Sequence, residues 1–178
     1  MNPDTSLSAE LQARMRDVPD FPRPGIVFKD ITPVLADPAL FHRLILALAE
    51  PFRDQRITKV VGVEARGFIL GAPVALALNA GFVPARKPGK LPSRTVTERY
   101  ALEYGTDALE MHQDAVLRGE RTLIVDDVLA TGGTAEATAK LIAQVGGELV
   151  GFSFLIALGF LDGVKRLGPH RVHRLITL

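Results

Sequence analysis

The sequence predicts an α/β fold built on a parallel sheet, and three observations carry that prediction. Strand-like and helix-like patterns alternate along the chain. A buried-type strand, Leu123-Ile124-Val125, runs through two aspartates into a loop of small residues that opens a helix. The three loops richest in chemistry follow Val63, Arg86 and Val125, each at the end of a strand-like run. Ligands of parallel sheets sit at the carboxyl ends of the strands, where these loops lie.

The elements follow in order. Asp4, Thr5 and Ser6 are good caps for a helix whose apolar positions are Leu7, Leu11 and Met15. Val18 to Gly25 holds three prolines and does not continue a helix. Leu40, Phe41, Leu44, Ile45, Leu48 and Phe52 mark an amphipathic helix after Asp37-Pro38. Lys59 to Val63 is a strand ending in Glu64-Ala65-Arg66-Gly67. A helix follows, most regular from Pro73 to Asn79, and stops at Gly81. Phe82 to Arg86 is the next strand.

Lys87 to Tyr104 is rich in Pro, Gly, Ser, Thr and charge, has little periodicity, and is long enough to be a lid. Leu109 to Ala115 reads as an edge strand that pairs with part of it. Arg121 to Asp126 is a strand. A helix begins at Thr134, carries Thr138, Leu141, Ile142 and Val145 on one face, and ends at Gly146-Gly147. Glu148 to Ala157 and Arg171 to Thr177 are two more strands.

Composition bounds the function. The 178 residues fit one domain spanning 1–178, with 47% apolar and 23% charged residues. There is no cysteine, hence no disulfide framework and no thiolate nucleophile. A net charge of +1 argues against a dedicated nucleic-acid partner. The first residues carry charge where a signal peptide carries an apolar run. The longest nearly apolar stretch, Gly151 to Leu161, is far short of a membrane span. A soluble, cytoplasmic protein with no membrane partner is expected.

Ala130-Thr131-Gly132-Gly133-Thr134 is built to hold an anion. Small side chains let backbone N–H groups close around it, the helix N-terminus adds positive partial charge, and the threonine hydroxyls donate. No GxxxxGK[ST] lysine and no GxGxxG spacing is present, so this is neither a triphosphate P-loop nor a dinucleotide fingerprint. Asp126 and Asp127 would repel a phosphate but accept hydrogen bonds from a vicinal diol. A ribose 5-phosphate presents both features. The bland alternative is a carboxylate pair that ends a strand and favours the next helix dipole.

Strand, Asp-Asp, two apolar residues and ATGGT together resemble the phosphoribosyl-diphosphate signature of the type I phosphoribosyltransferases. FPRPGIVFKDITPVL (Phe21 to Leu35), VVGVEARGFILGAPVA (Val60 to Ala75), RKPGKLP (Arg86 to Pro92) and ALEYGTDALEMHQDA (Ala101 to Ala115) are similar to the adenine phosphoribosyltransferase family. The resemblance runs in register from about Phe21 to about Leu155. It implies the parallel-sheet fold of that family, with a small base-binding hood at 1–35 and a flexible catalytic loop at 87–105. It implies transfer of a phosphoribosyl group to adenine, giving AMP and pyrophosphate, with Mg2+ held mainly by the substrate and no protein metal cage.

The resemblance also implies residue roles. Asp126 and Asp127 bind ribose, and Ala130 to Thr134 bind the 5-phosphate. Ala65, Arg66, Arg86, Lys87 and Lys90 bind pyrophosphate. The counterpart of Arg86 reaches a neighbouring subunit, which implies a homodimer. Glu103 handles a purine ring proton and Tyr104 helps close the lid. Val27, Phe28 and Lys29 form the adenine pocket, with Phe28 stacking on the ring.

Each of these segments also has a plainer reading: a surface turn at Arg66, a solvated or nucleic-acid-binding basic loop at Arg86, an exposed carboxylate at Glu103, a core ring at Phe28. Two positions depart from the family, which usually has arginine at Lys29 and glutamate at Ala157. Residues after Leu158 match only loosely and yield no site residues, and the His170/His173 pair is a weak metal motif. Competing functions are a 6-oxopurine enzyme and a phosphoribosyl-diphosphate sensor without turnover. The adenine-like segments weigh against the first. The short stretch before Phe21 and the presence of Glu103 weigh against the second.

Overall fold

In the computed structural model, residues 3–101 and 106–178 are described. The chain divides into two compact units, Met1–Ala47 and Leu48–Leu178. The first holds α1 (Pro3–Arg14), an antiparallel pair of short strands β1 (Arg16–Pro19) and β2 (Val27–Asp30), and a single helical turn α2 (Thr32–Leu35). It also holds most of α3 (Pro38–Ala49). The β1–β2 connection contains the prolines and a cis Phe21–Pro22 bond. Asp37 caps α3 by accepting the N–H groups of Ala39 (3.1 Å) and Leu40 (3.0 Å). Leu40, Leu44, Ile45 and Leu48 on α3 are buried, as their helical spacing requires.

The second unit is built on a five-stranded parallel sheet. Its strands are β3 (Lys59–Val63), β4 (Gly81–Ala85), β7 (Arg121–Leu129), β8 (Glu148–Ala157) and β9 (Arg171–Thr177), in the order β4-β3-β7-β8-β9. β3, β7 and β8 are central strands, and their runs are almost wholly buried. The chain winds outward from β3 through α4 (Arg66–Ala77) to β4, and in the opposite direction from β7 through α5 (Gly133–Gln144) to β8. Right-handed crossovers taken in opposite directions place α4 and α5 on opposite faces. The winding therefore reverses between β3 and β7, and a crevice opens at their carboxyl ends.

β5 (Thr95–Ala101) and β6 (Thr106–His112) form a separate antiparallel pair. The expected pairing of part of the 87–104 segment with the following strand is present, as β5 with β6. Val96, Glu98 and Tyr100 turn inward while Thr97 and Arg99 face out, a two-residue period masked by charged side chains. β6 starts and ends three residues before the expected Leu109 to Ala115 strand. α1 likewise begins at Pro3, ahead of the expected caps, and proline is at home in a first helical turn. Beyond Leu158 the chain makes a 3-10 turn, Gly159–Leu161, and one helical turn, α6 (Gly163–Arg166). No helix among the described residues is long and apolar enough to cross a membrane.

α4 lies close on β3 because glycine allows it. A Cβ on Gly62 would stand 2.7 Å from the Phe82 ring and 2.8 Å from the Gly67 carbonyl oxygen. Gly62→Ala should therefore destabilise the protein by about 1–3 kcal/mol through overpacking. Urea denaturation measures this, and a loss below roughly 0.5 kcal/mol, the range of a neutral surface change, would contradict the close approach.

Candidate active site

Parallel pairing of β3 with β7 sets two loops side by side. The register aligns Gly62 with Val125, so the chain beyond Val63 and the chain beyond Val125 leave the sheet together. From β3 come Glu64 and Ala65, joined by a cis peptide bond, and then the first turn of α4. From β7 come Asp126 and Asp127. Arg66 Nε lies 2.9 Å from Asp127 Oδ2, and the Asp127 side chain is only 6% exposed. A Cβ on Gly67 would stand 2.8 Å from Asp126 Oδ1, so a glycine lets that carboxylate rest on the start of α4.

The two carboxylates share one small space. The Asp127 N–H donates to Asp126 Oδ1 at 2.9 Å. Asp126 keeps part of its surface open to the crevice, yet protein atoms crowd it. That desolvation, and then the charge of Asp127, push its pKa well above the ordinary value. Burial raises Asp127 as well, against the opposing pull of Arg66.

Beyond β7 the chain turns through Ala130 to Thr134 into α5. Gly132 makes the turn with φ +81°. It also meets the C-terminal segment closely, since a Cβ there would stand 2.7 Å from the Gly163 carbonyl oxygen. The loop encloses a cavity of about 80 Å3 lined by Ala130, Thr131, Gly132, Gly133 and Thr134. The first N–H groups of α5, a helix of 12 residues, open onto this end.

Opposite stands a turn of cations held by acids. Glu64 accepts from Arg86 Nε and Nη2 at 3.3 Å each, from Lys90 Nζ at 2.7 Å and from the Lys87 N–H at 3.1 Å. Arg86 Nη1 also donates to the Lys90 carbonyl at 3.0 Å, and the Gly89 N–H to Glu110 Oε2 at 3.0 Å. Lys87 pairs with Asp107, which also accepts from the Tyr100 hydroxyl at 3.2 Å. The Lys90 bond first, and then, against burial, the Arg86 and Lys87 bonds, lower the Glu64 pKa from 4.5 to about 2.

These groups enclose one cavity of about 310 Å3, lined by Val63, Glu64, Ala65, Arg66, Lys87, Tyr100, Leu109, Asp126, Asp127, Val128, Ala130 and Thr134. It brings the carboxylate pair together with Arg66, Lys87 and the two ends of the Ala130 to Thr134 loop. The Phosphoribosyl transferase domain family matches residues 31–172. The chain belongs to the phosphoribosyltransferase family. It is 73% identical to the adenine phosphoribosyltransferase of Myxococcus xanthus (strain DK1622), covering 98% of this chain and 95% of that protein. It is 60% identical to that of Anaeromyxobacter sp. (strain Fw109-5), covering 94% of each.

Among solved structures, adenine phosphoribosyltransferase from Rhodothermus marinus superposes with a TM-score of 0.94 at 58% identity, covering 98% of this chain and 99% of that one. The enzyme from Saccharomyces cerevisiae, complexed with an imino-altritol bisphosphate and adenine, superposes at 0.91 with 40% identity over 96% of this chain and 99% of that one. The fold is thus that of the type I phosphoribosyltransferases.

In this phosphoribosyltransferase the structure gathers most of the residues singled out from sequence. Ala65, Arg66, Lys87, Asp126, Asp127, Ala130 and Thr134 line the main cavity, and Thr131, Gly132 and Gly133 the smaller one. Arg86 and Lys90 join through Glu64. Val27, Phe28 and Lys29 lie on β2 in the other unit. There Phe28 meets Phe21 edge-on at 5.2 Å, and Lys29 Nζ pairs with Asp17 at 2.6 Å. Glu103 and Tyr104 lie outside the described residues.

Sequence reading missed Glu64 and Tyr100 as wall residues, and Asp107 as the partner of Lys87. Glu64 lies more than twenty positions from its cations, at separations of 22 to 26. Only the alternation of Val96, Glu98 and Tyr100 could have pointed inward.

A depressed carboxylate pKa stabilises the folded state fully above its unfolded value and loses that contribution as pH falls through the folded value. For Glu64 the window runs from 4.5 down to about 2. The stability gap between the parent and Glu64→Gln should therefore shrink as pH drops through that window. Urea midpoints at stepped pH check this, and a gap that stays constant or widens toward acid would contradict the ion cluster.

Proposed function

We propose that this chain transfers the 5-phosphoribosyl group from phosphoribosyl diphosphate to adenine, giving AMP and pyrophosphate in purine salvage. One observation carries the reading: the carboxylate pair lines a cavity with Arg66, Lys87 and Glu64, which gathers Arg86 and Lys90, while the 130–134 loop borders it and an adjoining smaller one. The named activity of the close relatives supports adenine as the base.

The family resemblance implies the roles. Ala130 to Thr134 bind the 5-phosphate through backbone N–H groups and hydroxyls. Asp126 and Asp127 accept from the ribose hydroxyls. As the bond from C1′ to the diphosphate oxygen lengthens, positive charge grows on the ribose and negative charge on the leaving group. The aspartates face the first. Arg66, Arg86, Lys87 and Lys90, with the backbone at Ala65, face the second. Val27, Phe28 and Lys29 hold the base, with Phe28 against the ring and backbone groups reading its edge. Glu103 handles the purine ring proton as the ring nitrogen bonds to C1′, and Tyr104 helps keep water out.

Magnesium fits a site of hard oxygens, and it supplies counter-charge to the diphosphate. The resemblance implies that the ion is held mainly by the substrate's own diphosphate and ribose oxygens. The domain reading is one phosphoribosyltransferase domain over 1–178, with a hood at 1–35 and a catalytic loop at 87–105. A cytoplasmic location fits the absence of cysteine. A homodimer follows from the resemblance at Arg86, and exposed Ile69 and Leu76 on α4 supply apolar surface for an interface.

The test offers adenine, hypoxanthine, guanine and xanthine separately, with phosphoribosyl diphosphate and magnesium. AMP should form from adenine and no nucleotide from the other three. Glu103→Gln should lower kcat about a hundredfold or more while the sugar diphosphate still binds. Asp126→Asn with Asp127→Asn should weaken both binding and turnover. If no base gives product while phosphoribosyl diphosphate binds, the site is a sensor and the enzyme reading fails. Sedimentation velocity should find twice the protomer mass, and a single protomer would remove the dimer.

A further inference from the structure

An acid in a pyrophosphate site needs a reason. Glu64 sits among the cations that serve the leaving group, and its side chain is 13% exposed, so it is no bystander on the surface. Both carboxylate oxygens are in use. Oε1 accepts from Lys90 Nζ and Arg86 Nη2, and Oε2 from Arg86 Nε and the Lys87 N–H. Arg86 meets it with two nitrogens, the fork geometry by which guanidinium holds a carboxylate or a phosphate. An ammonium and a backbone N–H complete the set. These are the kinds of donor that a diphosphate takes, converged on a protein anion that lines the same cavity.

We propose that Glu64 is a built-in surrogate anion: it keeps the Arg86, Lys87 and Lys90 donors converged while the site is empty, competes with pyrophosphate for them, and so hastens product release. The inference rests on the phosphoribosyl-transfer reading of this site. Two consequences follow from charge alone. A fixed negative charge beside a bound diphosphate weakens its binding. Donors already gathered around a carboxylate change partners when the diphosphate arrives, so little side-chain freedom is lost at that moment. Glu64 is thus a positioning residue that touches the diphosphate's ligands and not the reacting atoms.

The experiment measures pyrophosphate binding by calorimetry in a magnesium buffer, without turnover. Glu64→Gln keeps the shape and an acceptor but removes the charge, and it should bind pyrophosphate about tenfold tighter. Steady-state inhibition by pyrophosphate should strengthen in step, with KM for phosphoribosyl diphosphate and kcat both lowered. Glu64→Asp keeps the charge and should bind pyrophosphate more weakly than Glu64→Gln.

Lys90→Met supplies a second readout that spares Glu64. Lys90 is shared with Glu64 in the parent, so the substitution should weaken pyrophosphate binding less there than in the Glu64→Gln background. A folded Glu64→Gln that binds pyrophosphate no tighter than the parent would overturn the proposal. So would equal Lys90→Met effects in both backgrounds. Absence of adenine transfer by the parent would remove the activity reading alone, because the binding measurements need no turnover.

Discussion

The structure depends on the parallel pairing of β3 with β7. Gly62 lies beside Val125, and the chain winds away from the two strands in opposite directions. No crossover covers their shared carboxyl end, so the two following loops face each other across an open crevice. That constraint places the Glu64–Gly67 turn against Asp126 and Asp127 and leaves the start of α5 pointing into the same space. The close packing of α4 has the same origin. Gly62 and Gly67 let the helix come down on β3 and let Asp126 rest on its first turn. A bulkier pair would move Arg66 away from Asp127 and open the wall of the site.

How far the sequence could be read follows from burial. β3, β8 and β9 end where the apolar runs end, at Lys59–Val63, Glu148–Ala157 and Arg171–Thr177. Central parallel strands bury both faces, so composition alone marks them. β7 runs three residues past the expected Asp126, because Val128 and Leu129 still pair with β8 through Ile156 and Ala157. β5 was expected only as an unbounded partner of the next strand, because its inward residues include a glutamate and its outward ones look like loop.

The loop from Ala130 to Thr134 was legible as a local motif, since its small residues and the start of α5 are adjacent in the chain. The cation cluster was half legible. Arg86, Lys87 and Lys90 fall within one turn, but Glu64 and Asp107 reach them only through the tertiary fold. The buttress of Gly132 by Gly163 was invisible for the same reason. A contact between carbonyl oxygen and Cα hydrogen leaves no side-chain pattern to read.

The cations in and behind the cavity wall already have protein partners: Arg66 with Asp127, Arg86 and Lys90 with Glu64, Lys87 with Asp107. A site this rich in positive charge and left uncompensated would repel itself and unfold its own wall. Pairing solves that, but it sets the terms of binding. On the proposed reading a diphosphate would compete with carboxylates for the same donors, so the gain on binding would be the difference between two sets of bonds. A ligand with one phosphate and no diol offers too little to shift every pair. A ligand with a phosphate at one end, a diphosphate at the other and hydroxyls between engages all three regions together. Selectivity for such a molecule therefore resides in the exchange of partners across the whole cavity, and the acids are as necessary to it as the bases.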